Sequence, residues 1–398
     1  MMNVLVVADG HYYITKKGLV YADSVYDYKF YRRYLQAFDH VYAVIRAEVV
    51  SDVPKGKRLS SGDGVTFLRI PNFHGPFQYI KEYFKLVKYV KRYCRDYDCG
   101  IFRIPAATSN VFCKYFLKTK KPFAVEVVTD PWENFSPKAT GNPIVLYFVR
   151  RVWTKTVKDM CQKANGAAYV TSNYLQMKYP PRASYDTTGK FFTASYSSVE
   201  LEDDSFSNER IWKSGQKRYI VSHVANYFND YGKGHLVLMN AVKIVRDRGY
   251  PLEIQFIGDG PKRKEFEDYA RRLGILNITQ FVGRLASGVE VRNMIRASDL
   301  FVLPTFAEGL PRALLEAMAE GLPCLSSPTC GVPEVLMSDY LFDFEDVNGF
   351  ANGIITFLAN ADLMTREGKR NLEKAKEFSS SILNERRKTF YCNLRNLI

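Results

Sequence analysis

No stretch of this 398-residue chain holds about 18 consecutive apolar residues, so no membrane-spanning helix is expected. The opening MMNVLVVADG has no basic leader, and its apolar run stops at Asp9. It is too short for a signal peptide and reads as a first strand. Cysteine is scarce and unpatterned: the seven, at positions 94, 99, 113, 161, 324, 330 and 392, are odd in number and lack metal spacing. That usage points to reduced thiols in a cytosolic protein. No cluster of His, Cys and Asp stands at ligand spacing, so neither a metal nor a resident cofactor is expected. Asp96-Tyr97-Asp98 imitates a metal-binding pair of acids, but it lies just before an expected strand and reads as a helix end. A recognisable nucleic-acid-binding motif is also missing, and nucleic acid is not expected as a partner.

What the chain does have is positive charge, +14 in all, and it is unevenly spread. Residues 1–200 hold 30 Lys and Arg against 16 Asp and Glu, whereas residues 201–398 hold 26 against 26. The whole excess lies in the first half, which suggests two domains with different partners. Length and an apolar content of 46% suffice for two cores.

Short apolar runs alternate with helical patterns in both halves. In the first they fall at 3–8, 40–45, 65–70, 100–104, 123–128 and 167–171; in the second at 219–224, 253–258, 278–282, 299–303 and 322–326. Continuous runs separated by helices predict parallel strands covered on both faces. The expected architecture is therefore two Rossmann-like, doubly wound α/β domains facing each other across a cleft, with ligands at the carboxyl ends of the strands. The boundaries are read as 1–200, a linker at 201–215, a second domain at 216–376 and a closing helix at 377–398.

One segment, FAEGLPRALLEAMAEGLPCL at 306–325, sets Glu308 and Glu316 on either side of a helix start. The strand before it ends at Pro304, and a loop through Glu308 and Gly309 leads to Pro311, a favoured first residue of a helix. Free backbone N–H groups around 312–314 suit an anion such as a pyrophosphate. A carboxylate accepts paired hydrogen bonds from vicinal hydroxyls, so a nucleotide sugar lying here would place its sugar near Glu308 and its ribose near Glu316. Helix electrostatics for Glu308 and an exposed helical position for Glu316 would account for the same residues more plainly.

With Gly331-Val332-Pro333-Glu334 behind it, this segment resembles the signature of the GT4 glycosyltransferases, retaining enzymes of the GT-B fold. Gly232-Lys233-Gly234-His235, the run from Phe256 through Gly258 and Gly260 to Pro261, and Phe281-Val282-Gly283-Arg284 extend the resemblance over most of the C-terminal half. It implies metal-independent transfer from a nucleotide sugar, with Lys233 on the donor phosphate, Glu308 on the donor sugar and Glu316 on the ribose. A lysine at a helix start opposes the dipole, which favours a phosphate partner for it. Gly258, Arg284, Gly309, Leu310 and Pro311 are the further donor contacts expected. The family's last helix crosses back to the first domain, a role that 377–398 fits.

The first half departs from that pattern. In place of a Gly-rich loop after the first strand it has Gly10 and Lys16-Lys17-Gly18, so Gly18 is the candidate for backbone approach to the donor phosphate. Where many members carry a His, the stretch is EVVTDPWE at 126–133, so Glu126 or Asp130 is expected to contact the transferred sugar as the catalytic carboxylate. An Asp-Pro turn capping a strand is the alternative. The family's Arg before the Lys-Gly pair is replaced by Ser222-His223-Val224-Ala225-Asn226, leaving His223 or Asn226 as substitute ligands.

Two helical stretches gather the positive charge. In 80–94, positions 80, 83, 84, 87 and 94 make an apolar face, with Lys81, Lys85, Lys88 and Arg92 along another. In 144–160, Val145, Phe148, Val149, Val152 and Trp153 share a side opposite Arg151, Lys155 and Lys158. Either alone reads as a core helix with a solvated basic face. Together they suggest an anionic membrane surface, at roughly 1 kcal/mol per Lys or Arg near it. The expectation is a peripheral enzyme on the cytoplasmic face of the membrane, moving a hexose-type sugar from a UDP- or GDP-linked donor to a glycan or lipid-linked glycan in bacterial surface polysaccharide synthesis. A catalytically silent subunit of a polysaccharide-assembly complex is the alternative, with a nucleotide-sugar epimerase ranking below it.

Overall fold

Apolar runs without alternation need cover on both faces, and the computed structural model, which describes residues 2–135, 142–285 and 287–398, supplies it in two separate units. Unit 1 comprises the chain through Tyr196 together with Asn384–Ile398; unit 2 is Ser197–Leu383.

Unit 1 contains β1 (Asn3–Thr15), β2 (Val20–Ala22), β3 (His40–Val50), β4 (Arg58–Leu59), β5 (Val65–Ile70), β6 (Gly100–Ile104), β7 (Phe123–Val127), β8 (Gly166–Tyr169) and β9 (Phe192–Ser195). The parallel order is β5-β3-β1-β6-β7-β8-β9, with β2 and β4 forming an antiparallel ribbon beside β1. Every residue of β6, β7 and β8 is buried, as their unbroken apolar runs require. Strand order reverses between β1 and β6, which makes their carboxyl ends the switch point where such sheets bind ligands. β1 is longer than its apolar run: after an irregularity between Val7 and His11 it stays paired with β3 as far as Thr15 opposite Val50.

Helices Gly75–Asp96, Ala107–Thr119 and Pro143–Lys163 pack side by side in that order. The buried sides of the first and third differ from the expected ones, with Cys94 the shared position. Leu86, Val90, Tyr93 and Cys94 are buried on the first, and Val157, Met160 and Cys161 on the third. Ile80, Tyr83 and Phe84, and likewise Val145, Phe148 and Val152, are exposed instead. Each helix carries two apolar stripes, and the sheet takes the other one.

Unit 2 contains β10 (Tyr219–Tyr227), β11 (Leu252–Asp259), β12 (Thr279–Gly283), β13 (Leu300–Leu303) and β14 (Cys324–Ser326), all parallel in the order β12-β11-β10-β13-β14. Its switch point lies between β10 and β13. Residues 201–215 are not a free linker: Trp212 is buried, its backbone N–H donates to Thr365 Oγ1 at 3.1 Å, and a Cβ on Gly368 would fall 2.9 Å from its ring. An indole of that size gains more against helix Ala361–Lys376 than in water. The last helix, Ser380–Arg395, buries Phe390, Tyr391 and Leu394, and from Asn384 onward it belongs to unit 1.

Candidate active site

The loops that follow β10 and β13 are laced together at the switch point of unit 2. The Phe306 N–H donates to Gly232 O at 2.8 Å, and the Gly232 N–H to Asp230 Oδ1 at 2.8 Å. Gly234 has a φ of 72°, and a Cβ there would lie 1.9 Å from Pro304 O, so only glycine lets the two loops close. This places the Lys233 ammonium in contact with the Glu308 carboxylate, both side chains still partly open to solvent. Burial lowers the Lys233 pKa, while the Asp230 carboxylate and the touching Glu308 favour the ammonium form.

Helix Arg312–Ala319 begins beside them. Pro311 is its N-cap rather than its first residue, with no side-chain cap bond, so the first N–H groups have no capping side chain. The Gly331 N–H donates to Gly309 O at 2.9 Å, holding the loop that carries Leu310 against the Gly331–Glu334 segment. Glu316 is only 7% exposed, which rules out the solvated-helix account of it. Burial raises its pKa, and Arg312, 3.7 Å away and one turn back, opposes that. Glu320, four residues on, shows the contrast: fully buried, it takes Arg296 through both oxygens at 2.8 and 3.0 Å.

The other expected donor contacts divide. Asn226 is exposed at the end of β10, and Arg284 is exposed with its guanidinium 4.4 Å from the centre of the Tyr227 ring. Gly258 has a φ of 138°, and a Cβ there would meet Ala225 O at 1.7 Å, so strand-end packing by itself demands the glycine. His223 is not a ligand. It is fully buried, its Nδ1 3.0 Å from Val302 O and its ring against His235 and Phe256. Burial pushes its pKa down to about 4 and keeps it neutral.

In unit 1 the structure removes three expected site residues. Gly18 heads the turn between β1 and β2, where the Thr15 N–H donates to Leu19 O at 2.9 Å and the Gly18 N–H to Thr15 O at 2.9 Å. Its φ of 80° is what that turn needs. Glu126 is buried, and four donors occupy its two oxygens: Tyr196 and Tyr391 at 2.9 and 2.8 Å on Oε1, Tyr34 and Arg103 at 3.1 Å each on Oε2. Burial pushes its pKa up, but Arg103 and the tyrosine hydroxyls outweigh this and hold it below the ordinary value. Asp130 is likewise buried. It caps the turn at Trp132 N–H (2.8 Å) and takes Tyr179 Oη at 2.5 Å, Tyr174 Oη at 3.3 Å and the Lys178 ammonium. Neither carboxylate has a lone pair to offer a sugar.

A cavity of 260 Å³ opens at the switch point of unit 1, lined by Asp9, Tyr26, Arg103, Pro105, Val128 and Trp153 among others. Asp9 is held by Arg46 at 2.6 Å and by Thr108 Oγ1 at 3.2 Å. Beside it the rings of His11 and His74 stack 4.2 Å apart. Asp9 was legible as the first acid after the first apolar run, at the carboxyl edge where ligands sit; Trp153 was hidden among apolar helix positions. Among the described residues, no three His, Cys, Asp or Glu side chains converge as a metal ion would need, and no helix is long and apolar enough to cross a membrane.

Known proteins resemble this chain in sequence and in fold. The family described as glycosyl transferases group 1 matches residues 204–374, which takes in Lys233, Glu308 and Glu316. Protein CapJ of Staphylococcus aureus is 28% identical over 90% of this chain and 88% of its own length. The lipopolysaccharide core biosynthesis glycosyltransferase LpsE of Rhizobium meliloti is 31% identical over 29% of this chain and 34% of that enzyme. In fold, the chain is similar to Anabaena HepE solved in complex with UDP, with a TM-score of 0.65 and 14% identity over 97% of this chain and 98% of that one. Two doubly wound units give this chain the GT-B fold, and the second carries a region that matches the group 1 glycosyl transferases.

Proposed function

We propose that the chain is a GT4-type retaining glycosyltransferase, moving a sugar from a UDP- or GDP-linked donor to a glycan or lipid-linked glycan in bacterial surface polysaccharide synthesis. It works as a peripheral enzyme on the cytoplasmic face of an anionic membrane, and nucleic acid has no part in it. The observation that carries the reading is the meeting of Lys233 and Glu308 at the switch point of unit 2, beside a helix start with no side-chain cap. The UDP bound to HepE and the polysaccharide-related name of LpsE support it.

In this reading charge builds on the departing diphosphate, and Lys233 with the N–H groups at 312–314 stabilises it without a metal. Glu308 moves from the lysine to the hydroxyls of the transferred sugar, and Glu316 takes the ribose. The acceptor hydroxyl attacks from the face the diphosphate leaves, which retains configuration. A thermal-shift panel of nucleotide sugars identifies the donor, since ligand binding to the native state raises Tm. Lys233→Ala and Glu308→Ala are each expected to cut transfer by at least about tenfold with Tm unchanged. Near-full activity in either rejects the assignment.

A second reading, a catalytically silent subunit of a polysaccharide-assembly complex, gains from one observation: both carboxylates expected to stand in for the family His are sequestered in unit 1. Release of nucleotide from a bound donor by the purified chain excludes it.

A further inference from the structure

The carboxyl edge of unit 1 carries a surface that the transfer reaction does not use. On helix Gly75–Asp96, with Leu86, Val90 and Cys94 buried, Phe77 (89% exposed), Ile80 and Phe84 (84%) form an outer stripe at i, i+3 and i+7. Helix Pro143–Lys163 repeats the device with Ile144, Phe148 (62%) and Val152 turned outward at i, i+4 and i+8. Water-soluble surfaces rarely gather large apolar side chains in this way without a partner.

Topology puts both stripes at the same edge. The first helix leaves the carboxyl end of β5, and the second ends at Lys163 just before β8 begins, so its own start lies at the carboxyl edge too. At 22 residues the first helix runs about 33 Å. The six-residue β5 before it spans only about 20 Å, so the helix is longer than the strand it follows. Lys81, Lys85 and Lys88 flank one stripe, and Arg151 and Lys155 the other, all exposed. Like charges on both stripes oppose a second copy docking face to face, whereas they complement anionic lipid headgroups.

We propose that these two half-helices form one docking surface for an anionic phospholipid bilayer, with the phenylalanines entering the acyl boundary and the lysines meeting the phosphates. The proposal rests on the transferase reading in one respect: it identifies the acceptor as a membrane-anchored molecule. The helix that shows Phe148 outward also gives Trp153 to the cavity lined by Asp9, Pro105 and Val128. A bilayer held on this surface lies next to that cavity, and the polar head of the acceptor enters it.

The test floats the full chain, at physiological salt, with vesicles of phosphatidylcholine alone and of phosphatidylcholine mixed with phosphatidylglycerol. Binding to the mixed vesicles is expected. Phe77→Asp with Phe84→Asp, and Phe148→Asp with Val152→Asp, each lower the bound fraction at least about tenfold. Lys81→Glu with Lys85→Glu abolishes the preference for anionic vesicles. Failure of the unmodified chain to bind, or equal binding by the apolar variants, overturns the surface. So does a dimer that Phe77→Asp with Phe84→Asp dissociates while vesicles go unbound. Nucleotide release measured without vesicles stays unchanged in all these variants. If release persists and vesicles do not bind, this surface alone falls; if vesicles bind and no nucleotide sugar does, the transferase reading alone falls.

Discussion

Unit 1 holds 34 Lys and Arg against 16 Asp and Glu, unit 2 holds 22 against 26, and the two spend their acids in opposite ways. In unit 1 the carboxylates nearest the expected chemistry, Glu126 and Asp130, are saturated by donors and buried, so they hold the fold. In unit 2, Glu308 sits half in water against a single lysine, and Glu316 is buried with one arginine 3.7 Å away. A carboxylate that the fold leaves under-satisfied is where a ligand has something to offer. Two doubly wound sheets thus treat their candidate acids differently: the first unit invests Glu126 and Asp130 in cohesion, and the second leaves Glu308 and Glu316 with few partners.

The comparison breaks most visibly at Glu126. Replacing it with Gln leaves the buried Arg103 without its counter-charge, and about 3–5 kcal/mol of unit 1 stability is expected to go. Urea denaturation reads this, and a loss under about 1 kcal/mol would show that the network is not what holds unit 1.

Acid separates the units next. His223 is neutral in the fold with a pKa near 4 against an ordinary 6.5, so protons bind the unfolded chain first. Its stabilisation is complete above pH 6.5 and is lost as pH falls toward 4, a cost of about 3 kcal/mol. Glu126 has its pKa held below the ordinary 4.5, so its contribution survives that whole window and is lost only below it. Urea midpoints across pH 4–7 are expected to drop for unit 2 before unit 1, and His223→Phe to lessen that drop, the rest of which falls to the equally buried His235.

A sharper probe of unit 2 is the double variant of Lys233 and Glu308. In the proposed reaction the donor parts the two side chains, Lys233 to the diphosphate and Glu308 to the sugar, so the combined Ala variant should lose nearly the sum of the single losses, each at least about 1.4 kcal/mol in the barrier. A combined loss no larger than either single one would mean that they act only as a pair. The smallest effect is expected at Gly18. Gly18→Ala strains a positive φ by about 1 kcal/mol and leaves transfer untouched, which a rate and a melting curve together decide. A fall in rate with Tm intact would return Gly18 to the donor site.

The architecture was legible because unbroken apolar runs have one common use, the middle of a parallel sheet. The meeting of the loops after β10 and β13 was legible because glycines at fixed offsets mark close approaches of backbone, as Gly234 against Pro304 illustrates. Burial was not legible. Nothing in EVVTDPWE says that Tyr34, Tyr196 and Tyr391, from 70 to 265 residues away, converge on Glu126. Nor could periodicity choose between two apolar stripes on one helix, since Phe77, Ile80 and Phe84 satisfy the same spacing as the stripe that faces the sheet. His223 was misread for a related reason: a polar residue within an apolar strand looks functional until its hydrogen-bond partner, the Val302 carbonyl, is seen.

The hydroxyl that Tyr391 brings to Glu126 has a consequence for the order in which the protein is made. A ribosome has synthesised all of unit 2 before it reaches residue 391, so the first unit to emerge is the last to complete its interior. Until then Glu126 lacks one of its four donors, and a chain stalled at Leu383 should expose a protease-sensitive first unit beside a resistant second one.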